Sequence, residues 1–232
     1  MPRKNTAAMT MIVVCTRGII GGVDHAALPE TCCPSERATI WIWPGQAAYL
    51  GPSLTLDPHS GSVHCVALGL DAPFTLSDSQ GERTVRSALI PARTRHQVVS
   101  DGGRMLFLYL EPGLTDDRIR TALDTLLADP LLSAPQVAAE INLSTSRFLH
   151  LFSDAAGTSF RRYRLWARML RVAAAVSKGA DLTSASAEAG FASPSHFSDT
   201  FRDMFGLTAS ALLAQRTRIV VLDPGSNGAP AA

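Results

Sequence analysis

The first half of the chain carries short runs of alternating or β-branched hydrophobic residues, separated by turn residues. Such runs occur at residues 38–43, 62–68, 74–76, 86–90 and 104–110. Turn pairs such as Pro44-Gly45 and Gly102-Gly103 separate them. Several short strands at close spacing are typical of a small β-sandwich or barrel. We therefore expect a β-domain at residues 37–112, preceded by a partly ordered extension at residues 1–36.

The hydrophobic period becomes helical after residues 111–115. Thr115 followed by Asp116 and Asp117 predicts a helix start, because a hydroxyl cap and early acidic residues favour the positive end of a helix. An apolar stripe then runs through Ile119, Leu123, Leu126 and Leu127. We place a domain boundary here, with a helical domain at residues 113–218. Residues 219–232 are assigned to a tail, of which 225–232 are expected to be disordered.

The helical half contains an internal repeat. In each copy a serine is followed at offsets of four, eight and thirteen residues by two phenylalanines and a glycine. The first copy is Ser144, Phe148, Phe152 and Gly157, and the second is Ser193, Phe197, Phe201 and Gly206. The serine suits an N-cap, the phenylalanines lie on one helix face, and the glycine suits a left-handed C-terminal stop. Each frame therefore predicts one helix with an aromatic face.

A short alanine-rich helix and a tight turn precede each copy. The turn residue that tolerates positive φ is Asn142 in the first copy and Gly190 in the second. Short helix, turn and longer helix is the helix-turn-helix arrangement. One such pattern alone is equally typical of ordinary helical packing. Two copies in the same frame, joined by a helix of about five turns at residues 159–177, predict two recognition helices for successive major grooves.

Helical geometry assigns polar faces to the two recognition helices. Small hydroxyls, histidine and arginine can reach base edges or phosphates. The candidate DNA contacts are Ser144, Thr145, Ser146, Arg147 and His150 in the first copy, and Ser193, Ser195, His196, Asp199 and Arg202 in the second. A solvated helix face is the alternative for each residue alone, above all for Asp199, because a carboxylate repels phosphate.

Composition narrows the function classes only slightly. The hydrophobic content of 46% predicts a packed core, and the formal net charge of +1 is uninformative about partners. No apolar run approaches the roughly 20 residues that span a membrane, so we expect no membrane partner. The chain has 4 cysteines and no CxxC pair. Reduced cytoplasmic thiols and no cofactor are expected.

The helical half resembles the AraC-type transcriptional regulators over residues 115–215. The carriers are Gly190-Phe191, Phe197, Phe201 and Phe205-Gly206, together with Ser144, Phe152, Gly157, Phe160, Tyr163 and Arg168. The chain departs from the family at Thr208-Ala209-Ser210, where Thr-Pro-Ser is usual, and at Asp199, where a basic residue is common. The resemblance implies double-stranded DNA as a partner, a homodimer and contact with RNA polymerase.

The first half resembles the cupin-like sensor domain of some of these regulators, at residues 40–45 and 88–96. Arg93 stands where the second cupin motif has glycine. The resemblance implies a small-molecule effector, with Trp41, Trp43, Tyr49 and His96 as pocket candidates. The whole chain is then α+β with two domains. A small cupin-like β-barrel precedes an all-α domain in which a long helix joins two helix-turn-helix units.

Two alternatives remain open at this point. A metal-dependent cupin enzyme with a DNA-binding appendage would need a metal site at His59, His64 and His96. The first cupin motif consists of His-x-His followed by a glutamate, whereas His59 and His64 are five residues apart and no glutamate follows soon after. No nucleophile–base arrangement is legible, so we expect no enzyme. The other alternative is a ligand-independent regulator whose first half only dimerises.

Overall fold

A computed structural model describes residues 37–222 of the chain. A β-rich region spans residues 39–110, a helical region follows at residues 117–214, and one further strand forms at residues 218–221. No helix among the described residues has the length and apolar character needed to cross a membrane. The change from strands to helices takes place between Leu110 and Asp117, where the hydrophobic period changes in the sequence.

Nine strands form two open sheets within residues 37–222. The strands are β1 (Thr39–Trp43), β2 (Gln46–Pro52), β3 (His64–Gly69), β4 (Phe74–Asp78), β5 (Gly81–Val85), β6 (Ser87–Ile90), β7 (Gln97–Val99), β8 (Arg104–Leu110) and β9 (Arg218–Val221). The larger sheet has the order β6-β3-β8-β2-β1-β9, and the smaller one the order β5-β4-β7. Because β6 and β9 are both edge strands, the larger sheet does not close. The predicted barrel is corrected to two sheets, since strand spacing does not determine closure.

Three strands of the β-rich region were not legible in the sequence. Strand β2 reads Gln-Ala-Ala-Tyr-Leu-Gly-Pro and is largely buried, so it shows little alternation. Strand β5 is polar and exposed because it is the outer strand of a hairpin with β4. Strand β7 has only 3 residues. Pattern recognition fails for each of them, because it needs several residues that alternate between two environments.

The tail boundary also differs from the prediction. Strand β9 pairs in parallel with β1, with Ile219 opposite Ile40 and Val221 opposite Ile42. Residues 219–221 therefore belong to the larger sheet and not to a tail. The expected disorder of residues 225–232, like the extension at residues 1–36, lies outside the described residues.

Seven helices form the helical region. They are α1 (Asp117–Ala128), α2 (Ala134–Glu140), α3 (Thr145–Ala156), α4 (Phe160–Ser177), α5 (Leu182–Glu188), α6 (Pro194–Phe205) and α7 (Ala209–Ala214). Helices α2 and α3 form the first predicted unit, α5 and α6 form the second, and α4 joins them. The cap of α1 is Asp116, whose carboxylate accepts from the Arg118 N–H, so the prediction of Thr115 was one residue early.

The caps of the two recognition helices are confirmed. The hydroxyl of Ser144 accepts from the Arg147 N–H at 3.4 Å, and that of Ser193 accepts from the His196 N–H at 3.1 Å. The predicted stop residue Gly157 has a φ of 62°. Its counterpart Gly206 has a φ of 76°. The repeat in the sequence therefore corresponds to a repeat in backbone conformation.

The hydrophobic core is continuous between strands and helices. One cluster of buried residues joins Ile42 and Val63 of the β-rich region to Phe148 and Trp166 of the helical region. A second cluster, within the β-rich region, also takes in Leu212 of α7. Burying a large apolar side chain contributes roughly 1.5–3 kcal/mol. The packing between the two regions is therefore part of what stabilises each.

Candidate nucleic-acid interface

Helix α3 buries one face and exposes the other. Phe148 and Phe152 are both fully buried, with rings 5.6 Å apart. On the opposite face Ser146, Arg147 and His150 are exposed. The remaining candidates of this unit lie at the helix start, where Ser144 is exposed and Thr145 is half-buried. The first predicted set is thus brought together on one accessible surface.

Helix α6 repeats this arrangement. Phe197 is buried and Phe201 is half-buried. The predicted DNA contacts Ser193, Ser195, His196, Asp199 and Arg202 are all exposed. Helix geometry thus orients both candidate sets as the sequence repeat predicts, with aromatic residues directed into the core.

The side chain of His196 is held in one orientation. Its Nδ1 accepts a hydrogen bond from the Ala192 N–H at 3.3 Å, and its ring packs on Phe191 with centroids 5.6 Å apart. Because Nδ1 is the acceptor, the proton of the neutral imidazole is on Nε2. His196 therefore presents a hydrogen-bond donor at its outer nitrogen.

Arg168 of the joining helix connects the two units. Its Nε donates to the Pro130 carbonyl at 3.2 Å, just before the first unit, and its Nη1 donates to the Gly190 carbonyl at 2.9 Å, in the turn of the second. A planar guanidinium gives these two hydrogen bonds a fixed geometry. The two recognition helices are thus fixed relative to each other by side-chain contacts as well as by α4.

One predicted DNA contact is already engaged within the chain. The guanidinium of Arg202 donates to Asp57 Oδ2 from Nε at 3.0 Å and from Nη2 at 2.6 Å. The carboxylate raises the pKa of Arg202, so the guanidinium stays charged. Asp57 is 145 positions away in the sequence, and no local pattern marks it as a partner. Arg202 in this structure therefore contacts the β-rich region and is not free for DNA.

An apolar cavity of about 110 Å³ lies between the β-rich and helical regions. Strands β1, β2, β8 and β9 line one side, and helices α4, α6 and α7 line the other. From α6 it receives Phe197, Phe201 and Phe205. The same aromatic stripe that docks the second recognition helix thus forms a wall of the cavity, which sequence reasoning did not foresee.

The predicted effector pocket is only partly brought together. Tyr49 lines this cavity, and its hydroxyl donates to the Pro52 carbonyl at 2.7 Å. Trp41 and Trp43 do not line it, because alternation along β1 directs Ile40 and Ile42 inward. His96 lines a separate cavity of about 10 Å³. Of the four pocket candidates, only Tyr49 therefore lines the larger cavity.

The three histidines considered for a metal do not converge. The rings of His59 and His96 are in contact, with centroids 4.3 Å apart and planes tilted by 56°, and each ring donates from Nδ1 to a nearby carbonyl. His64 instead accepts from the Ala92 N–H at 3.4 Å. Among residues 37–222 no group of three or more His, Cys, Asp or Glu side chains could hold a metal ion.

Burial determines the charge state of this pair. Burial, together with the neighbouring His96, lowers the pKa of His59 to about 4. Burial also lowers the pKa of His96. Both rings are therefore neutral at pH 7.

Comparison with known proteins identifies the helical region. Residues 137–215 match a family model described as a helix-turn-helix domain. This match begins within α2 and takes in α3, the joining helix α4, α5, α6 and α7. Residues 137–215 of the chain are therefore a helix-turn-helix domain.

Solved structures resemble this chain in fold. ToxT from Vibrio cholerae, solved with (E)-4-(8-methylnaphthalen-1-yl)but-3-enoic acid, is 10% identical, with 73% of this chain and 98% of that chain covered and a TM-score of 0.52. Unsaturated fatty acid bound ToxT of Vibrio cholerae strain SCE256 is 9% identical, with 72% and 95% covered and a TM-score of 0.52. At this identity the likeness concerns the fold alone. No curated protein sequence matches this chain.

Proposed function

We propose that this chain is an AraC-type transcriptional regulator and that it reads double-stranded DNA by inserting α3 and α6 into successive major grooves. The observation that carries the proposal is the pair of capped helices with buried aromatic faces and exposed polar faces. Arg168 holds the two units together. A fixed separation between recognition helices is what reading two half-sites requires.

The proposed contacts are the exposed residues at the start and along the outer face of each helix. They are Ser144, Thr145, Ser146, Arg147 and His150 in α3, and Ser193, Ser195, His196 and Asp199 in α6. Arg147 suits a guanine edge or a phosphate, and Asp199 suits a cytosine amino group. His196 offers its Nε2 proton. The cap hydroxyls accept a helix N–H and keep their own proton for a phosphate oxygen.

Binding to labelled duplexes with purified protein tests this proposal. We expect a selected promoter sequence to be preferred over random duplex at moderate salt. Arg147→Ala and His196→Ala should each lower that affinity by about fivefold or more, since base contacts are worth roughly 1–3 kcal/mol. Arg83→Ala in β5 is the control for the loss of one positive charge and should leave affinity unchanged. Absence of any sequence preference would end the proposal.

We further propose that the β-rich region is a cupin-like sensor. Arg93, which occupies the glycine position of the second cupin motif, has a φ of 67° and donates its N–H to the Gly61 carbonyl at 2.9 Å. Positive φ is the conformation that a glycine would supply. The local backbone thus supports the resemblance even where the residue type departs from it.

The effector proposed for this sensor is a small uncharged apolar molecule bound in the cavity between the two regions. None of the described side chains that line the cavity is charged. A cavity of about 110 Å³ is comparable with apolar protein cavities that take up benzene. The ToxT structures hold acids. Here the lining offers no cation to an acid, and a buried carboxylate without a partner is strongly unfavourable.

A matched pair of ligands tests this choice. Toluene and benzoate are similar in size and differ by one carboxylate. We expect toluene to raise the melting temperature of the regulator and benzoate to leave it unchanged, because only a ligand that binds the folded state stabilises it. Ala173→Leu, which adds volume to the cavity wall, should abolish the toluene effect. An unchanged melting temperature with toluene, or an equal increase with benzoate, would contradict the proposal.

A further inference from the structure

Recognition helix α6 ends against residues 57–60 of the β-rich region. The Ser60 N–H donates to the Asp203 carbonyl at 3.0 Å, and the Asp57 N–H donates to the Gly206 carbonyl at 2.7 Å. Carbonyls in the last turn of a helix have no partner inside that helix. The β-rich region therefore supplies hydrogen bonds that complete the end of α6.

Two arginines bind the same segment through their side chains. Arg202 of α6 pairs with the Asp57 carboxylate at 2.6 and 3.0 Å. Arg162 of α4 donates from Nη2 to the Ser60 carbonyl at 2.6 Å and to the Ser60 hydroxyl at 2.8 Å. Residues 57–60 are thus bound to both the joining helix and the second recognition helix.

This close approach depends on a glycine. A Cβ atom at Gly206 would lie 2.5 Å from the Asp57 carbonyl oxygen and 2.7 Å from His59 Nδ1. At the equivalent Gly157, which ends α3, the nearest atom to such a Cβ would be His64 Nε2 at 3.9 Å. Of the two recognition helices, α6 is therefore the one whose C-terminal glycine is closely covered by the β-rich region.

Arg202, which pairs with Asp57, lies on the same face of α6 as the proposed DNA contacts. At 100° per residue, Ser195, Asp199 and Arg202 fall within an arc of about 60°. Arg202 thus continues the exposed face toward the helix C-terminus, and Asp57 places a carboxylate beside it. The Asp57 carboxylate neutralises Arg202, which is the one cation among the predicted DNA contacts of α6, and it repels phosphate.

We propose that Asp57 is a positioning residue that withholds Arg202 from DNA and so restrains binding by the second unit. The inference rests on the proposed DNA-binding function. The side chains of Arg202 and Asp57 are 60% and 52% exposed. An ion pair that exposed is weak, so a small change at Asp57 is enough to release Arg202 to a phosphate.

Asp57→Asn tests the proposal, because asparagine keeps the backbone hydrogen bond and removes the charge. We expect affinity for a labelled random duplex to rise up to about fivefold, as an exposed ion pair permits. The plot of log K against log salt should become steeper by about 0.9, which corresponds to one added phosphate contact. Asp71→Asn is the matched control, since it breaks the exposed Asp71–Arg104 pair with the same change in charge.

A double variant assigns the gain to Arg202. Arg202→Gln in the Asp57→Asn background should return affinity and salt slope to those of the unmodified protein, whereas Arg202→Gln alone should change the slope little. Equal behaviour of Asp57→Asn and Asp71→Asn, a loss of affinity in Asp57→Asn, or a gain that persists in the double variant would overturn the inference. In each of these cases duplex binding itself persists, whereas failure of every protein to bind duplex would refute the DNA-binding function.

Discussion

Trp166 donates a hydrogen bond from Nε1 to the Gly45 carbonyl oxygen at 3.0 Å. It connects the middle of the joining helix α4 to the turn between β1 and β2. The indole is buried against the sheet, where Tyr109 lies 5.6 Å away between ring centroids. The Trp166 side chain thus contributes, together with Arg162, to holding the helix between the two helix-turn-helix units against the β-rich region.

Replacing this indole should destabilise the protein. We expect Trp166→Phe to lower the free energy of unfolding by about 2 kcal/mol, because it leaves a buried carbonyl without its donor and opens space in the core. Trp43→Phe is the control, since the Trp43 Nε1 has no hydrogen-bond partner among residues 37–222. Urea denaturation monitored by circular dichroism measures both. Equal losses in the two variants would mean that the hydrogen bond contributes nothing specific.

The two helix-ending glycines should respond unequally to alanine. Both have positive φ, which costs alanine about 1 kcal/mol or more. Only at Gly206 would the new methyl meet backbone, at 2.5 Å from the Asp57 carbonyl oxygen. Gly206→Ala should therefore destabilise by about 1–3 kcal/mol more than Gly157→Ala, the range for overpacking. Thermal unfolding of the two variants measures this difference. Similar melting temperatures would contradict the close approach of Gly206 to the Asp57 carbonyl.

Asp199→Arg should strengthen DNA binding generally and weaken discrimination between sequences. The substitution removes a charge that phosphate repels and adds one that it attracts, so binding should become more salt-dependent, by about 0.9 in slope for each added phosphate contact. Asp101→Arg, in an exposed turn of the β-rich region, controls for net charge. Titrations with promoter and random duplexes measure the ratio of affinities. A uniform loss of affinity would mean that Asp199 makes a base contact or a structural one.

Stability should fall as pH decreases from 7 to 5 because of His59. Burial lowers its pKa to about 4 in the folded protein, whereas an unfolded histidine titrates near 6.5. The unfolded state therefore binds more protons than the folded state in this window. As a result, the free energy of unfolding should be lower by about 2 kcal/mol at pH 5 than at pH 7. Denaturation at pH 7, 6 and 5 measures the loss, which should be smaller in His59→Gln.

Glu111 opposes this trend, because burial raises the pKa of its carboxyl. A raised carboxyl pKa makes the folded state relatively more stable as pH falls. The group is present in both proteins, so the difference between wild type and His59→Gln isolates the histidine. Identical pH profiles would show that His59 is not kept neutral by its surroundings.

The recognition helices could be predicted because their determinants are local. A serine cap, two phenylalanines and a glycine stop lie within fourteen residues of one another, and repetition of the frame separates it from ordinary helix packing. The residues that face outward then follow from helix geometry. The repeat does not show which other parts of the chain pack beside each face. Arg202 is an example, because its partner Asp57 is distant in the sequence.

The β-rich region was harder to predict because its determinants are not local. Trp41 and Trp43 seemed suited to a pocket by residue type, yet the register of β1 turns Ile40 and Ile42 toward the cavity. Which face of a strand is covered depends on helices that come more than a hundred residues later. The Asp57–Arg202 pair and the cavity share this origin, since both require two regions to be packed together.

The parallel pairing of β9 with β1 has a consequence for the order of folding. The first and last described strands are neighbours, with the whole helical region between them in sequence. During synthesis β9 emerges from the ribosome after both helix-turn-helix units. Contacts of such long sequence separation are entropically costly to form and slow folding. Among residues 37–222, the larger sheet therefore cannot be complete before residue 221 has been synthesised.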